Sequence, residues 1–259
     1  MDTTKQNSEA WDQKVEEGSR WTKRVSSEEI QKSKNGEWSI CVTTEKVVPR
    51  QWFPSSMKGL KILCLASGGG QQGPILAAAG ADVTVTDISR KQLEQDEYVA
   101  ERDNIQLETI QADMTDLRDF EDETFDIIVH PVSNLFVKDV HQVWKEASRV
   151  MKPNGVLISG FTNPLLFIFD DNEERKGNLD VKHKVPSSTL DYLKEDEVEH
   201  YIRTNQTIEY AHTLEDQIQG QIDAGFVITG FYEDDFGGTR VLDQYIQTFM
   251  ATRAVKISL

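Results

Sequence analysis

The stretch Lys61-Ile-Leu-Cys-Leu-Ala-Ser-Gly-Gly-Gly-Gln-Gln-Gly-Pro74 decides the fold of this chain. Residues 62–66 form an apolar run of strand length. This run leads through three consecutive glycines into residues 74–79, where a proline in the first turn indicates a helix. Glycines let a ligand approach the main chain closely, and the bare N–H groups of a helix N-terminus favour an anionic or polar ligand. The stretch therefore predicts a strand, a ligand-binding turn and a helix.

Strands and helices alternate from this stretch onward. Short apolar runs of strand length lie at residues 62–66, 83–87, 105–110, 125–129 and 156–161. Helical patterns separate them, with Ser89 as the expected N-cap of one helix. This alternation predicts an α/β fold with a doubly wound, mostly parallel sheet that binds ligands at the carboxyl ends of its strands. The runs at 226–232 and 248–255 are expected to complete the sheet with an antiparallel final strand.

Two segments lie outside this alternation. Residues 1–58 carry scattered aromatic residues without a long period, and we expect an N-terminal arm that folds over a domain at 59–259. Residues 162–212 interrupt the alternation after the fifth strand. An insertion there falls beside the ligand crevice, which favours a lid or a substrate-selecting segment. Within it, residues 181–185 and 207–210 are expected to pair as a small antiparallel element.

Composition restricts the partners of this chain. Its 259 residues are enough for one substantial α/β domain, and 28 lysines and arginines against 44 aspartates and glutamates give a formal net charge of −16. Such an acidic protein is a poor partner for nucleic acid or an anionic membrane, so we expect neither. The absence of a long apolar run and of a signal-peptide pattern indicates a cytoplasmic protein. Cys41 and Cys64 show no metal-ligand spacing, and no metal site is predicted.

The glycine loop permits more than one adenosine ligand. Residues 68–73 satisfy the G-x-G-x-x-G pattern, and Asp87 ends the next strand close to the distance that a dinucleotide fold requires. A short-chain dehydrogenase would also need a tyrosine followed four residues later by lysine. Lysine is absent from that position after each of Tyr98, Tyr192, Tyr201, Tyr210, Tyr232 and Tyr245. An NAD-dependent oxidoreductase is therefore disfavoured.

The region 60–161 resembles the class I S-adenosylmethionine-dependent methyltransferases. Five segments carry the resemblance in register: residues 63–70, Asp87, residues 112–114, residues 125–130 and residues 135–155. Residues 64–72 also resemble a bacterial subgroup near the quinone-biosynthesis methyltransferases. The resemblance implies a Rossmann-like fold, S-adenosylmethionine as cofactor and methyl transfer to a small molecule. We expect a monomer or a homodimer.

The resemblance also implies a set of cofactor-binding residues. They are Ala66, Ser67, Gly68, Gly70, Gln71, Asp87, Ile88, Asp113, Met114 and His130. Asp87 would accept hydrogen bonds from both ribose hydroxyls, and Asp113 would bind the adenine amine. Asp113 alternatively begins a turn with Asp116. The family usually has an acid in place of Cys64 and glycine in place of Ala66, so the cofactor's ammonium must bind carbonyls, water or another side chain, such as Gln71 or Gln72.

Methyl transfer from an activated cofactor needs alignment more than acid–base chemistry. If the acceptor must lose a proton, His130 and His212 are the candidate bases, although each is also compatible with a structural role. Glu215 and Gln217 are expected in the exposed first turn of a helix. Two other functions stay open at this point, an NAD-dependent oxidoreductase and a non-catalytic module that binds the cofactor.

Overall fold

A seven-stranded sheet organises the chain in the computed structural model, which describes residues 2–257. The strands of the described part are β1 (Lys61–Leu65), β2 (Asp82–Asp87), β3 (Glu108–Gln111), β4 (Phe125–His130), β5 (Met151–Thr162), β6 (Ser187–Ser188), β7 (Tyr210–Ala211), β8 (Phe226–Asp234) and β9 (Phe249–Lys256). The sheet has the order β3-β2-β1-β4-β5-β9-β8. Strands β1 to β5 are parallel, and β9 runs antiparallel to both its neighbours. The predicted doubly wound, mostly parallel sheet with an antiparallel final strand is confirmed.

Helices connect these strands and cover both faces of the sheet. They are α1 (Thr3–Glu16), α2 (Ser27–Lys34), α3 (Gln72–Ala78), α4 (Arg90–Asp103), α5 (Val140–Val150), α6 (Asp171–Arg175), α7 (Glu195–Arg203) and α8 (Gly220–Asp223). Ser89 is the N-cap of α4, as expected, because its side chain accepts a hydrogen bond from the Gln92 N–H. No helix among residues 2–257 is long and apolar enough to cross a membrane.

The core has two layers because successive side chains of a strand point to opposite faces. Ile62 and Cys64 of β1 are buried in the layer that contains α3 and α4. Leu63 and Leu65 are buried against α5. The apolar stripe of α5 consists of Val140, Val143, Trp144, Ala147 and Val150. A parallel sheet buried on both sides requires strands that are apolar throughout, and β1 meets that requirement.

The N-terminal arm completes the first of these layers. Helix α1 packs on α4, and α2 packs on α3 and α4. The arm also buries Ile40, Trp52 and Phe53 among the strand residues of the core. The Val42 carbonyl accepts a hydrogen bond from the Val132 N–H at 3.0 Å and lies directly over β5. The arm is therefore packed across the carboxyl ends of the central strands.

The insertion between β5 and β8 contains α6, α7 and the small sheet of β6 and β7. An antiparallel pair was expected here, but its members differ from the expectation: Ser187 and Ser188 pair with Ala211 and Tyr210. Val181 instead forms an isolated bridge with Phe169. The difference arises because residues 182 and 183 donate their backbone N–H groups to the Ile168 carbonyl at the start of the insertion.

Replacement of Gly160 by alanine tests the docking of the arm. A Cβ at Gly160 would lie 2.0 Å from the Val42 oxygen, a contact that only a backbone shift relieves. We expect Gly160→Ala to lower the free energy of unfolding by about 1–3 kcal/mol, as overpacking does, in chemical denaturation. Ser159→Ala is the matched control: the Ser159 hydroxyl is buried without a hydrogen-bond partner among the described residues, so its removal should be neutral or stabilising. Equal stability of Gly160→Ala and wild type would contradict this packing.

Candidate functional site

A cavity of about 760 Å³ opens at the carboxyl ends of β1, β2 and β4. This volume lies in the range of about 300–1,000 Å³ that is usual for small-ligand sites. The glycine loop, the ends of β2 and β4, the arm and the insertion all contribute to its wall. Of the predicted cofactor residues, those that line it are Ala66, Ser67, Gly68, Gln71, Asp87, Ile88 and Met114. Gly70, Asp113 and His130 lie outside its lining.

The backbone N–H groups of the glycine loop are occupied by two carboxylates. The Gly68 N–H donates to Asp87 Oδ2 at 3.0 Å. The Gly69 and Gly70 N–H groups donate to Asp96 Oδ2 at 2.9 and 3.1 Å. The expectation of bare N–H groups for an anion at this turn is therefore wrong. A dinucleotide places its pyrophosphate on such N–H groups, so the geometry argues against NAD despite the G-x-G-x-x-G pattern.

Asp87 is buried, and it also lines the cavity. Its Oδ1 accepts a hydrogen bond from the Ser89 N–H at 2.9 Å, and its Oδ2 accepts the one from Gly68. Burial raises the pKa of Asp87 to about 6, and these N–H groups oppose the rise. A carboxylate has about four acceptor positions, so two remain for further donors. Two ribose hydroxyls match that capacity.

Asp96 is a site residue that sequence reasoning missed. It lies on α4, is fully buried, and its Oδ1 has no hydrogen-bond partner among residues 2–257. Burial raises the pKa of Asp96 to about 8, which keeps the group largely protonated at neutral pH. A signal did exist, because Leu93, Asp96 and Val99 follow at helical spacing and place an acid within the buried stripe of α4.

The loop has a shape that few residues other than glycine adopt. Gly69 and Gly70 have φ angles of +121° and +73°, and a Cβ at Gly68 would lie 2.7 Å from the Cβ of Gln92. Ala66 also takes a left-handed conformation, with φ of 48°. This backbone explains why the family usually has glycine at the position of Ala66.

The polar side chains that follow the loop hold the arm against it. Gln71 Nε2 donates to the Lys23 carbonyl at 3.1 Å, and Gln72 Nε2 donates to the Cys41 carbonyl at 2.9 Å. Gln72 also accepts a hydrogen bond from the Ser67 hydroxyl at 3.2 Å. Cys64 is fully buried between strand and helices, where burial raises the pKa of its thiol.

Asp113 lies beside the cavity and has its own partners. Its Oδ1 accepts hydrogen bonds from the Thr115 N–H and hydroxyl at 2.8 and 2.7 Å, and its Oδ2 accepts one from the Thr4 hydroxyl at 3.0 Å. The Asp116 N–H donates to the Asp113 carbonyl, so the alternative of a turn is present in the structure. The next residue, Met114, is buried and faces the cavity.

His130 is part of a buried polar chain. Its Nδ1 lies 2.9 Å from the Leu65 carbonyl, and its Nε2 lies 2.7 Å from Asn134 Oδ1. Asn134 in turn donates to Gln217 Oε1 at 2.9 Å. Burial lowers the pKa of His130. The expected exposure of Gln217 is wrong, because its side chain completes this chain.

His212 is held in a similar way. Its Nε2 lies 3.1 Å from the Asn134 carbonyl and 2.9 Å from the Val137 carbonyl, so this nitrogen carries the proton. Burial lowers the pKa of His212. Neither candidate base lines the cavity, so in this arrangement neither imidazole presents an unprotonated nitrogen to the cavity. This geometry indicates a structural role for both histidines and does not support the prediction that one of them is the base.

Helix α1 joins the two sides of the cavity through Asn7. Asn7 Oδ1 accepts a hydrogen bond from the Ile208 N–H at 2.7 Å, and its Nδ2 donates to the carbonyls of Phe136 and Ile208, both at 3.0 Å. On the same helix the Ser8 hydroxyl donates to the Ile88 carbonyl at 2.8 Å. These hydrogen bonds connect the arm to the end of β2, to the loop after β4 and to the insertion, above the site.

The chain belongs to the class I S-adenosylmethionine-dependent methyltransferases. A family model described as a methyltransferase domain matches residues 63–159. The uncharacterized methyltransferase YbaJ of Bacillus subtilis (strain 168) is 57% identical over 97% of this chain and 97% of its own length. An S-adenosylmethionine dependent methyltransferase from Mesorhizobium loti has the same fold, with a TM-score of 0.61 and 16% identity over 80% of this chain and 95% of that chain.

A more distant relative matches part of the chain. The demethylmenaquinone methyltransferase of Clavibacter sepedonicus is 34% identical over 49% of this chain and 48% of its own length.

The protein is thus an S-adenosylmethionine-dependent methyltransferase, and its cavity fits that cofactor. The Asp87 carboxylate has acceptor positions for two ribose hydroxyls, the apolar side chains of Ile88 and Met114 also line the cavity, and the loop allows close backbone approach.

Replacement of Asp96 tests whether a neutral carboxyl holds the loop. Asp96→Asn keeps an oxygen for the two N–H groups and should change stability little near pH 4, where the folded and unfolded states of wild type differ little in protonation, whereas Asp96→Ala leaves both donors unpaired and should cost about 2 kcal/mol or more. A folded pKa near 8 against an ordinary value of 3.8 means that the folded state binds an extra proton between these values. Wild-type stability should therefore fall relative to Asp96→Asn as pH rises through this window, by up to about 1.4 kcal/mol per pH unit.

The measurement is denaturant unfolding across that pH range. Glu94→Gln, an exposed change on the same helix, is the control and should show no such relative trend. A constant difference between wild type and Asp96→Asn from pH 4 to pH 8 would show that Asp96 is not a buried protonated acid.

We expect Asp87 to make cofactor binding dependent on pH. With a pKa near 6, protonation removes the charged acceptor, so the affinity for S-adenosylhomocysteine should fall as pH drops through that value. Asp87→Asn should weaken binding by about 1.5–3 kcal/mol and remove the pH dependence. Isothermal titration calorimetry measures both effects, with Asp82→Asn at the exposed start of β2 as the control. Unchanged affinity in Asp87→Asn would exclude Asp87 from the ribose site.

Proposed function

We propose that this methyltransferase acts on a small molecule that binds in the same cavity as the cofactor. The observation that carries the proposal is that segments outside the sheet extend the wall of the cavity. Trp11 of the arm, Leu166 of the insertion and Phe236 of the β8–β9 loop contribute to its wall, in addition to the strand ends. A polymer needs an open groove, whereas this wall surrounds its contents on several sides.

Charge and similarity support the same choice. The formal net charge of −16 opposes binding of RNA, which is itself anionic. The relative from Clavibacter sepedonicus is named for demethylmenaquinone, which is neither a nucleic acid nor a protein. Location in the cytoplasm and a monomeric or homodimeric state stay predictions from the sequence.

The proposed roles of the residues follow from their positions. Asp87 accepts the ribose hydroxyls, Ile88 and Met114 pack against the adenine, and Gly68 lets the cofactor approach the main chain. When bound, S-adenosylmethionine supplies a methyl group already activated on a sulfonium. The protein then has to align the acceptor with that methyl group and exclude water. His130 and His212 contribute indirectly, because they fix the loop that follows β4.

A transfer assay with methyl-labelled S-adenosylmethionine tests this function. The purified protein is incubated with a bacterial cell extract that has been separated into a deproteinised small-molecule fraction and a macromolecular fraction. We expect label in the small-molecule fraction, and loss of that label with Asp87→Asn at limiting cofactor. Asp82→Asn is the control. Label that appears only in protein or RNA would contradict a small-molecule acceptor.

A further inference from the structure

We propose that Glu209 is the general base of the methyl transfer and that the acceptor is an apolar, ring-bearing compound whose nucleophile is a hydroxyl or an amine that carries a dissociable proton. This inference rests on the proposed small-molecule function. It assigns a catalytic residue to the insertion, in a position that the sequence did not single out.

Hydrogen bonds of residues on both sides of Glu209 in the sequence fix its position. On one side, Asn7 of α1 binds the N–H and the carbonyl of Ile208 and also the carbonyl of Phe136. On the other side, His212 binds the carbonyls of Asn134 and Val137. The carbonyls that Asn7 and His212 bind there belong to the loop that follows β4. Glu209 is therefore held over the end of β4.

The Glu209 carboxylate has little to bind within the protein. It lines the cavity, and within the described residues its side chain accepts one long hydrogen bond, from the Thr207 hydroxyl at 3.5 Å. The backbone of Glu209 is well fixed, because its N–H donates to the Thr189 hydroxyl at 3.0 Å and its carbonyl accepts from the Thr189 N–H at 2.9 Å. A fixed main chain with an uncommitted carboxylate suits a group that must accept a proton.

The other carboxylates of the cavity wall are already committed. Glu29 accepts the N–H and hydroxyl of Ser26 in a helix cap. Glu45 forms an ion pair with Arg20 at 3.5 Å. Asp87 holds the glycine loop and serves the ribose. Glu209 is thus the carboxylate of this wall that retains its acceptor capacity.

The surroundings of Glu209 poise it for proton transfer near neutral pH. Desolvation by the packed elements raises the pKa of Glu209 to about 7. Lys14 of α1 and Arg240 of the β8–β9 loop face it and oppose the rise, whereas Asp171 of α6 adds to it. Tyr201 of α7 is also close enough for the charge of Glu209 to affect its pKa. Arg240 is held by Glu174, with an Nε to Oε1 distance of 2.8 Å, which limits its effect on Glu209. A base is most effective when its pKa lies near the working pH.

Aromatic pairs in the cavity wall indicate the kind of acceptor that the site would bind. The rings of Trp11 and Phe136 meet edge to face at 5.3 Å, and those of Phe236 and Phe249 at 4.7 Å. All four line the cavity. Such walls favour an apolar ring system, because aromatic side chains bury large apolar areas and pack against other rings.

The proposed step balances without a further reactant. A lone pair of the acceptor oxygen or nitrogen forms a bond to the methyl carbon, and the bond from that carbon to sulfur breaks with its electron pair on sulfur. The proton of the acceptor moves to a carboxylate oxygen of Glu209 and later to water. Acceptors that need no base, such as carboxylates and thiolates, do not require this arrangement.

The first test measures the pKa of the Glu209 carboxyl group and does not depend on enzyme turnover. Protein labelled with ¹³C at the glutamate side-chain carboxyl is titrated by NMR, and Glu209→Gln assigns the signal by its loss. We expect a midpoint near pH 7. A midpoint near the ordinary value of 4.5 would overturn the proposal.

The second test is the labelled transfer into the small-molecule fraction, measured across pH. We expect wild-type activity to rise with pH through about 7, and Glu209→Gln to reduce it by about 100-fold or more and to abolish the dependence. Affinity for S-adenosylhomocysteine should stay unchanged in this variant. Glu215→Gln is the matched control, because Glu215 is exposed and outside the cavity lining.

The outcomes separate this inference from the proposed function. If Glu209→Gln transfers label as well as Glu215→Gln does, or if it loses cofactor-product binding, Glu209 is not the base, and the small-molecule function stands. If wild type labels macromolecules alone, the proposed function fails and the assignment of the acceptor fails with it.

Discussion

Two buried carboxyl groups hold the glycine loop, and the rest of the site depends on this contact. Asp87 and Asp96 together accept the N–H groups of Gly68, Gly69 and Gly70. Buried backbone donors must be paired, and here the protein pairs them internally. The turn therefore offers a ligand a carboxylate and a close main-chain surface, which suits a nucleoside with free ribose hydroxyls. A pyrophosphate would have to displace both acids.

The arm and the insertion add walls to the cavity beside this loop. The arm also adds Trp52 and Phe53 to the core, and polar contacts hold both segments: Gln72 of α3 donates to the Cys41 carbonyl, and Asn7 of α1 accepts from the Ile208 N–H of the insertion. Helix α1 contacts both the cofactor side and the insertion, so the two halves of the cavity share one element. Packing at Gly160, where the Val42 carbonyl rests on β5, brings the second part of the arm into the same assembly.

The sequence predicted the sheet well and the polar contacts poorly. Strand and helix alternation is a local pattern, so β1, β2, β4 and the Ser89 cap followed from it, and the G-x-G-x-x-G pattern pointed to Asp87 at the end of β2. His130, Asp113 and Gln217 each also have a partner that is distant in sequence, Leu65, Thr4 and Asn134 respectively, and periodicity does not reveal such contacts. Asn7 lies on a polar helix that looks like a solvated surface. Asp96 was detectable in principle, since an acid within a buried helical stripe is unusual.

A crystal structure of the complex with S-adenosylhomocysteine would show which groups of the glycine loop contact the ligand. We expect both ribose hydroxyls to lie within hydrogen-bond distance of Asp87 while the Gly69 and Gly70 N–H groups remain on Asp96. A ligand carboxylate bound to those two N–H groups, with Asp96 displaced from them, would contradict this expectation.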